Sequence, residues 1–300
     1  GRFNMGACSI NLPQIGILAG GDEEKFFEIL EKRLDLVKRV GLLRYEHLKK
    51  VTSDSSPIHW QHGAIARLGK HESIAPLLLN GYSTVSLGYI GIYEATVLTK
   101  GVSHTTKKGY DFAMRIMDAL NDAVKKWTKE YGIKFTLYET PAESLTQRFC
   151  NIDKKRFGII ENVTDKGYYI NSFHVDVREE ISAFEKFTFE SKFQDKSTGG
   201  CISYVEIPNM GHNLEALETI VRFIYDNIQY AEFNTKSDYC SECGFDGEIK
   251  LNEEGDWECP QCHNKDRSTL SVVRRTCGYL GENFWNEGRT KEINARVLHI

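Results

Sequence analysis

Three hundred residues suffice for a packed core, as one large domain or two smaller ones. Hydrophobic residues make up 41% and charged residues 27%, an ordinary globular balance, and a net charge of −4 argues against nucleic acid or an anionic membrane surface as partner. No apolar run approaches the roughly 18 residues of a membrane span, and no basic segment followed by an apolar stretch marks export.

The chain opens at Gly1 without a Met, close to a strand-like Ser9-Ile10-Asn11-Leu12-Pro13, which reads as the interior of a longer polypeptide. Asp22 caps a predicted helix through about Val51, on which Phe26, Leu30, Leu34, Val37 and Val40 recur at helical spacing. Ser53 to Pro57 is a loop. Tyr82 to Ile92, rich in β-branched and aromatic residues and bounded by glycine, reads as a strand. A helix follows from about Tyr110 to Tyr131, with Phe112, Ile116, Leu120 and Trp127 on one stripe. Phe135 to Tyr138 is a short strand running into a helix start at Thr140-Pro141. A strand at Ile202 to Ile207, a helix at Leu214 to Asn227 and a strand at Ile228 to Phe233 complete the series. About five strands with helices between them imply parallel pairing and an α/β class.

Eight cysteines in a long chain without an export signal point to reduced thiols, a cytoplasmic setting and a metal site rather than disulfides. Cys240-x2-Cys243 and Cys259-x2-Cys262 stand fifteen residues apart in a polar stretch, 236–266. Each CxxC turn offers two sulfurs from one knuckle, and Gly244 and Pro260 suit the tight turns. Zn²⁺ is the expected ion, iron its competitor. Four thiolates leave no open position, so the metal is structural. His263 reads as an exposed turn residue, not a fifth ligand, while Cys150 and Cys201 read as small buried hydrophobes.

Thr140-Pro141-Ala142-Glu143 has the form of a capping box. Its bland meaning is a well-made helix end. Coming off a strand, however, such an end presents free amides and a positive dipole to an anion. Cys277-Gly278 taken alone would be a turn needing a positive φ.

The surroundings of Gly278 change that reading. Ser271-Val272-Val273-Arg274-Arg275-Thr276-Cys277-Gly278-Tyr279-Leu280-Gly281 resembles the radical loop of the glycyl radical enzymes, specifically the anaerobic (class III) ribonucleotide reductases. The tail Phe284-x-Asn286-x-Gly288-Arg289-x-x-Glu292-Ile293-x-x-Arg296-Val297-x-His299 is similar to that family too. So are Asn4-x-Gly6-x-x-Ser9-Ile10-Asn11-Leu12-Pro13, Tyr138 to Leu145, and Thr164 to His174. The likeness covers essentially the whole chain, in order.

The resemblance implies half of a ten-stranded α/β barrel over 1–235, a zinc-ribbon module over 236–266, and a radical loop and tail over 267–300. It implies a radical on Gly278, installed by a separate activating enzyme that uses an iron–sulfur cluster and S-adenosylmethionine. The radical then passes to a cysteine, which abstracts the ribose 3′ hydrogen of a ribonucleoside triphosphate and starts loss of the 2′ hydroxyl. In reductases that share the barrel a comparable turn holds substrate phosphates, which assigns that role here to Thr140, Ala142, Glu143 and Ser144. The thiyl cysteine falls upstream of Gly1-Arg2-Phe3-Asn4; Cys8 is the alternative, at a position where the family has an apolar strand residue. A half-barrel with unpaired strand edges is expected to need an N-terminal partner half or to self-associate. Two other readings compete: a zinc-ribbon interaction module on an inactive half-barrel, and a formate-lyase type of glycyl radical enzyme, which the zinc cysteines disfavour. The electron donor, formate or a dithiol protein, and any allosteric preference stay open.

Overall fold

The parallel pairing expected of strands separated by helices is present, divided between two sheets. The computed structural model describes residues 3–139, 142, 144–275, 280–281 and 286–300. They form two compact units, one from 1–140, 170–173 and 192–201, the other from 141–169, 174–191 and 202–300.

The first unit runs β1 (Phe3–Asn11), α1 (Leu12–Ala19), α2 (Glu23–Leu48), the single turn α3 (Pro57–Trp60), β2 (Ser83–Ile90), α4 (Ile92–Lys100), α5 (Lys107–Tyr131) and β3 (Phe135–Tyr138). Its sheet order is β1-β2-β3, with Cys8 opposite Leu87 and Leu87 opposite Leu137. The expected strand at residues 9–13 ends early. The Asn11 side chain accepts from the Gln14 amide, and Pro13 fits a first helical turn, so Leu12 and Pro13 open α1. Gly91 makes the matching corner between β2 and α4 at φ +80°, where a Cβ would lie 2.3 Å from the Pro13 ring.

Helix α2 is capped by Asp22 through the Lys25 amide, as its sequence implies. Its core stripe departs from expectation at one place. Phe26, Leu30, Leu34 and Val37 are buried, but Val40 is 40% exposed. The 3.6-residue period carries the stripe to Gly41 instead, where a Cβ would meet the Phe135 ring at 2.9 Å and Val85 at 3.0 Å. Helix α5 buries Phe112, Ile116, Leu120 and Trp127 as expected and is capped by Thr106 through the Gly109 amide. A polar row crosses the sheet: Asn4 Nδ2 donates to Ser86 Oγ at 2.7 Å, and Ser86 lies 3.3 Å from Thr136 Oγ1. Residues 199–200 extend the edge of β3, with the Gly199 amide on the Leu137 oxygen and the Glu139 amide on the Gly200 oxygen.

The second unit contains α6 (Leu145–Phe157), α7 (Ala183–Gln194, whose last three residues belong to the first unit), β4 (Ser203–Ile207), α8 (Leu214–Asn227) and β5 (Ala231–Thr235). β4 and β5 pair in parallel over a core of Ala183, Phe187, Val205, Ile207, Ile220 and Ile228. The strand expected from Ile228 begins at Ala231, because Ile228 closes α8 and is spent on that core.

The helix start expected at Thr140-Pro141 is also displaced. α6 begins at Leu145, Ser144 occupies its cap position without a side-chain cap bond, and Ala142 is buried and non-helical. The Ala142 carbonyl accepts from the Arg289 guanidinium. Thr140, Pro141 and Glu143 lie outside the described residues.

The rest of this unit is short strands: β6 (Asp238–Cys240), β7 (Asp246–Gly247), β8 (Lys250–Leu251), β9 (Trp257–Glu258), β10 (Leu270–Ser271), β11 (Arg274–Arg275) and β12 (Leu280–Gly281), then helix α9 (Glu287–Ala295). β10-β6-β7 form one antiparallel sheet, β8-β9 a second and β11-β12 a third. No helix among the described residues is long and apolar enough to cross a membrane.

Candidate metal centre and radical segment

Cys240 and Cys259 are fully buried, and Cys262 is exposed. The four sulfurs of Cys240, Cys243, Cys259 and Cys262 all lie within 4.8 Å of one another. The Cys240–Cys262 pair is at 3.7 Å and the Cys243–Cys259 pair at 3.6 Å. A tetrahedron with arms of about 2.3 Å has edges of about 3.8 Å, so the donor set fits a thiolate-bound dication of zinc's size.

Two antiparallel ladders build this arrangement. β6 ends in Cys240, opposite Leu270 of β10, and β9 leads directly into Cys259. Beneath them Ile249, Trp257, Leu270 and Val272 make a small apolar core with the two buried cysteines. Burial raises the Cys240 thiol, but the amides of Cys243 and Glu242 and the Asn264 side chain outweigh it and hold the group at about 6. Burial and the neighbouring sulfurs push Cys243 the other way, to about 12, and a bound dication would favour the thiolate at both positions. His263 sits exposed at φ +59°, its Nδ1 2.7 Å from Glu258 and outside the sulfur cluster, as a turn residue should.

The ribbon leads straight to the segment that carries Gly278. Arg274–Arg275 and Leu280–Gly281 pair as β11 and β12, bracketing residues 276–279, which lie outside the described residues together with the Gly278 site itself. Arg274 is buried against the ribbon in an ion pair with Asp238. Arg275 pairs with Glu232 on β5, and its carbonyl accepts from Arg296 at 2.9 Å. Arg296 also contacts Glu206 on β4 at 3.1 Å and Glu292 on α9 at 3.0 Å, all three side chains nearly buried. This network of arginines was not apparent from the sequence. The tail residues stand out there as a pattern, but their partners lie up to 147 residues upstream.

A family model described as anaerobic ribonucleoside-triphosphate reductase matches residues 1–299. The chain belongs to that family. It is 41% identical over 306 residues to the anaerobic ribonucleoside-triphosphate reductase of Haemophilus influenzae and 40% identical to that of Escherichia coli, covering 100% of this chain and 43% of each relative. The enzyme of that name from phage T4 is 40% identical, with 49% of its length covered. The chain thus spans about half or less of the reductases it matches. Among solved structures, an anaerobic ribonucleotide reductase superimposes at a TM-score of 0.72 with 24% identity, covering 97% of this chain and 44% of that one. The Thermotoga maritima enzyme with glycerol in the active site superimposes at 0.64 with 22% identity, covering 92% and 41%. At that identity these two likenesses speak for the reductase fold.

The cysteine thought an alternative radical carrier, Cys8, lies half-buried on β1 with its thiol raised by burial, partly offset by Arg44. Cys150 is fully buried in α6, and Cys201 is half-buried with its thiol pushed up to about 12 by burial, Glu139 and Asp195.

Proposed function

We propose that this chain supplies the radical-bearing part of an anaerobic ribonucleoside-triphosphate reductase, with Gly278 as the radical site. The observation that carries this reading is the match of residues 1–299 to the reductase family, joined to a strand pair that brackets Gly278 in sequence and whose first strand is anchored through Arg274 and Arg275. An α-carbon radical is delocalised over the flanking amide nitrogen and carbonyl. Glycine lets that centre flatten without a side-chain clash.

In this reading a separate activating enzyme, using S-adenosylmethionine and an iron–sulfur cluster, takes a hydrogen atom from Gly278. The glycyl radical then takes a hydrogen atom from a cysteine supplied by reductase sequence other than these 300 residues. The resulting thiyl acts on the 3′ hydrogen of a ribonucleoside triphosphate. Residues 1–235 would contribute half of the ten-stranded barrel, 236–266 the ribbon, and 267–300 the radical loop and tail. The ribbon cysteines would hold Zn²⁺ as a structural ion, since four thiolates saturate a tetrahedral site. Thr140, Ala142, Glu143 and Ser144 would meet the substrate phosphates. Seven thiols among the described residues are free of disulfides, which suits a reducing, cytoplasmic setting. The relatives, all reductases by name, give no support to a stand-alone zinc-ribbon interaction module.

The test is anaerobic incubation with the activating enzyme. A doublet paramagnetic signal is expected, and later exposure to air should cut the chain at Gly278. Gly278→Ala should show neither effect while keeping its zinc. Absence of the doublet in wild type, with the remaining reductase sequence supplied, would overturn the reading.

A further inference from the structure

We propose that Arg274 is a positioning residue that conveys the folded state of the metal ribbon to the strand pair bracketing Gly278. The proposal rests on the reading of Gly278 given above, and its site is the Asp238–Arg274 ion pair.

Asp238 lies on β6, two residues before the first ribbon cysteine. Its carboxylate accepts the Ile249 amide at 2.8 Å, which closes the ribbon's first hairpin. The same carboxylate receives both terminal nitrogens of Arg274, with Nη2 to Oδ2 at 2.6 Å. Arg274 Nη2 also donates to the Ile249 carbonyl at 3.0 Å, and its guanidinium stands 5.3 Å from the centre of the Trp257 ring. Every one of these partners belongs to the ribbon, and both charged side chains are almost completely buried, Asp238 at 1% and Arg274 at 6% exposure. A planar fork is needed here, because a lysine would offer a point charge and lose the paired geometry.

Successive side chains of a strand point to opposite faces. Arg274 therefore grips the ribbon while Arg275 faces Glu232 on β5 and gives its carbonyl to Arg296. The first strand of the Gly278 segment is gripped from two sides, and only one grip depends on the ribbon. A metal held by the four cysteines would tie Cys240 at the end of β6 to the second cysteine pair, and its removal would free the strand whose Asp238 carboxylate holds Arg274.

The test compares Arg274→Gln, Arg274→Lys and Asp238→Asn with wild type in the full chain. Zinc per chain, hydrogen exchange of peptides covering 240–262 and 270–281, and glycyl doublet yield are read in parallel. Zinc content should stay at the wild-type value in all three variants, and exchange of 240–262 should stay at wild-type values in Arg274→Lys, which leaves the Asp238 carboxylate and its bond to the Ile249 amide in place. Exchange over 270–281 should quicken by about tenfold or more, because a local opening no longer has to break the buried pair. Doublet yield should fall by a similar factor in Arg274→Gln and by less in Arg274→Lys. Unchanged exchange over 270–281 would overturn the proposal. Loss of zinc in Arg274→Lys would also overturn it, by showing that the pair serves the ribbon alone. A missing doublet in wild type would count against Gly278 itself, and the exchange data would still decide the role of Arg274.

Discussion

Arg289 Nη2 donates to the main-chain oxygen of Ala142 at 3.3 Å and to Thr146 Oγ1 at the same distance. A residue in the first turn of α9, a few positions beyond the Gly278 segment, thereby holds the chain that enters α6. Its other terminal nitrogen is fixed by Glu292 at 2.6 Å. Ala142, one of the residues assigned to the phosphate turn, is thus held by a residue of the C-terminal tail.

On the proposed reading of residues 140–144 as the phosphate turn, Arg289→Ala should weaken binding of a ribonucleoside triphosphate by about tenfold, the size expected when one well-placed hydrogen-bonding group is lost. Glu292 keeps Arg296 as a partner, so its charge is not stranded, and the fold should survive. Equilibrium titration with the nucleotide measures the effect. An unchanged dissociation constant would remove Ala142 and its neighbours from the substrate site.

Ribbon chemistry gives a second expectation. The apolar core under the four cysteines consists of Ile249, Trp257, Leu270 and Val272 beside Cys240 and Cys259, too little to stand without a cross-link. Cys259→Ser, or a strong chelator applied to wild type, should release the metal and deprotect the amides of residues 238–271. The β1-β2-β3 sheet should keep its protection. A zinc-sensitive dye and hydrogen exchange follow the two events. Protection retained over 238–271 after complete metal loss would contradict a structural role.

Cys8 provides a third. It sits on β1 with Leu87 opposite, and burial raises its thiol against the partial offset of Arg44. Cys8→Ala should leave the doublet yield within about twofold of wild type, with a stability cost of about 1 kcal/mol for the lost side-chain volume. Abolished turnover with an intact doublet would instead make Cys8 the radical relay.

Much of this was legible in the residues. Helical periodicity found α2 and α5, and a run of β-branched and aromatic residues found β2, because in those elements packing and local propensity agree. CxxC spacing found the sulfur cluster, since a knuckle is a local structure. The misplaced boundaries have local rivals behind them. Asn11 turned a strand-like Leu12-Pro13 into a helix start, and Ile228 was drawn into the core at the end of α8. Thr140-Pro141 looks like a cap by every local rule, yet the carbonyl of Ala142 is claimed by an arginine 147 residues away. Period and propensity carry no information on such a pairing. The Asp238–Arg274 and Glu206–Arg296 contacts were hidden for the same reason.

Buried charge in the second unit sets a pH dependence whose sign can be worked out. Burial alone would raise Glu292, but the guanidiniums of Arg296 and Arg289 more than reverse this and bring it down to about 2, from an ordinary 4.5. A depressed carboxylate adds stability above its unfolded value and loses it as pH falls toward the folded one. The loss here, between about pH 4.5 and 2, amounts to about 3 kcal/mol. His299 acts at higher pH. Burial, with help from the Lys186 and Arg296 cations and against the pull of Glu190, lowers it from 6.5 to about 4. Its Nδ1 accepts the Glu206 amide at 2.9 Å, which suits the neutral ring. Between pH 6.5 and 4 the unfolded chain takes up a proton at this position that the folded chain refuses, so stability falls as the medium is acidified. His299→Gln, whose amide oxygen can accept the same bond, should flatten that part of the profile. Denaturant unfolding of wild type and variant from pH 7 to 4 measures the difference, in which any acid loss of metal cancels. Parallel profiles for the two proteins would show that His299 is protonated freely in the folded state and is not held in a closed site.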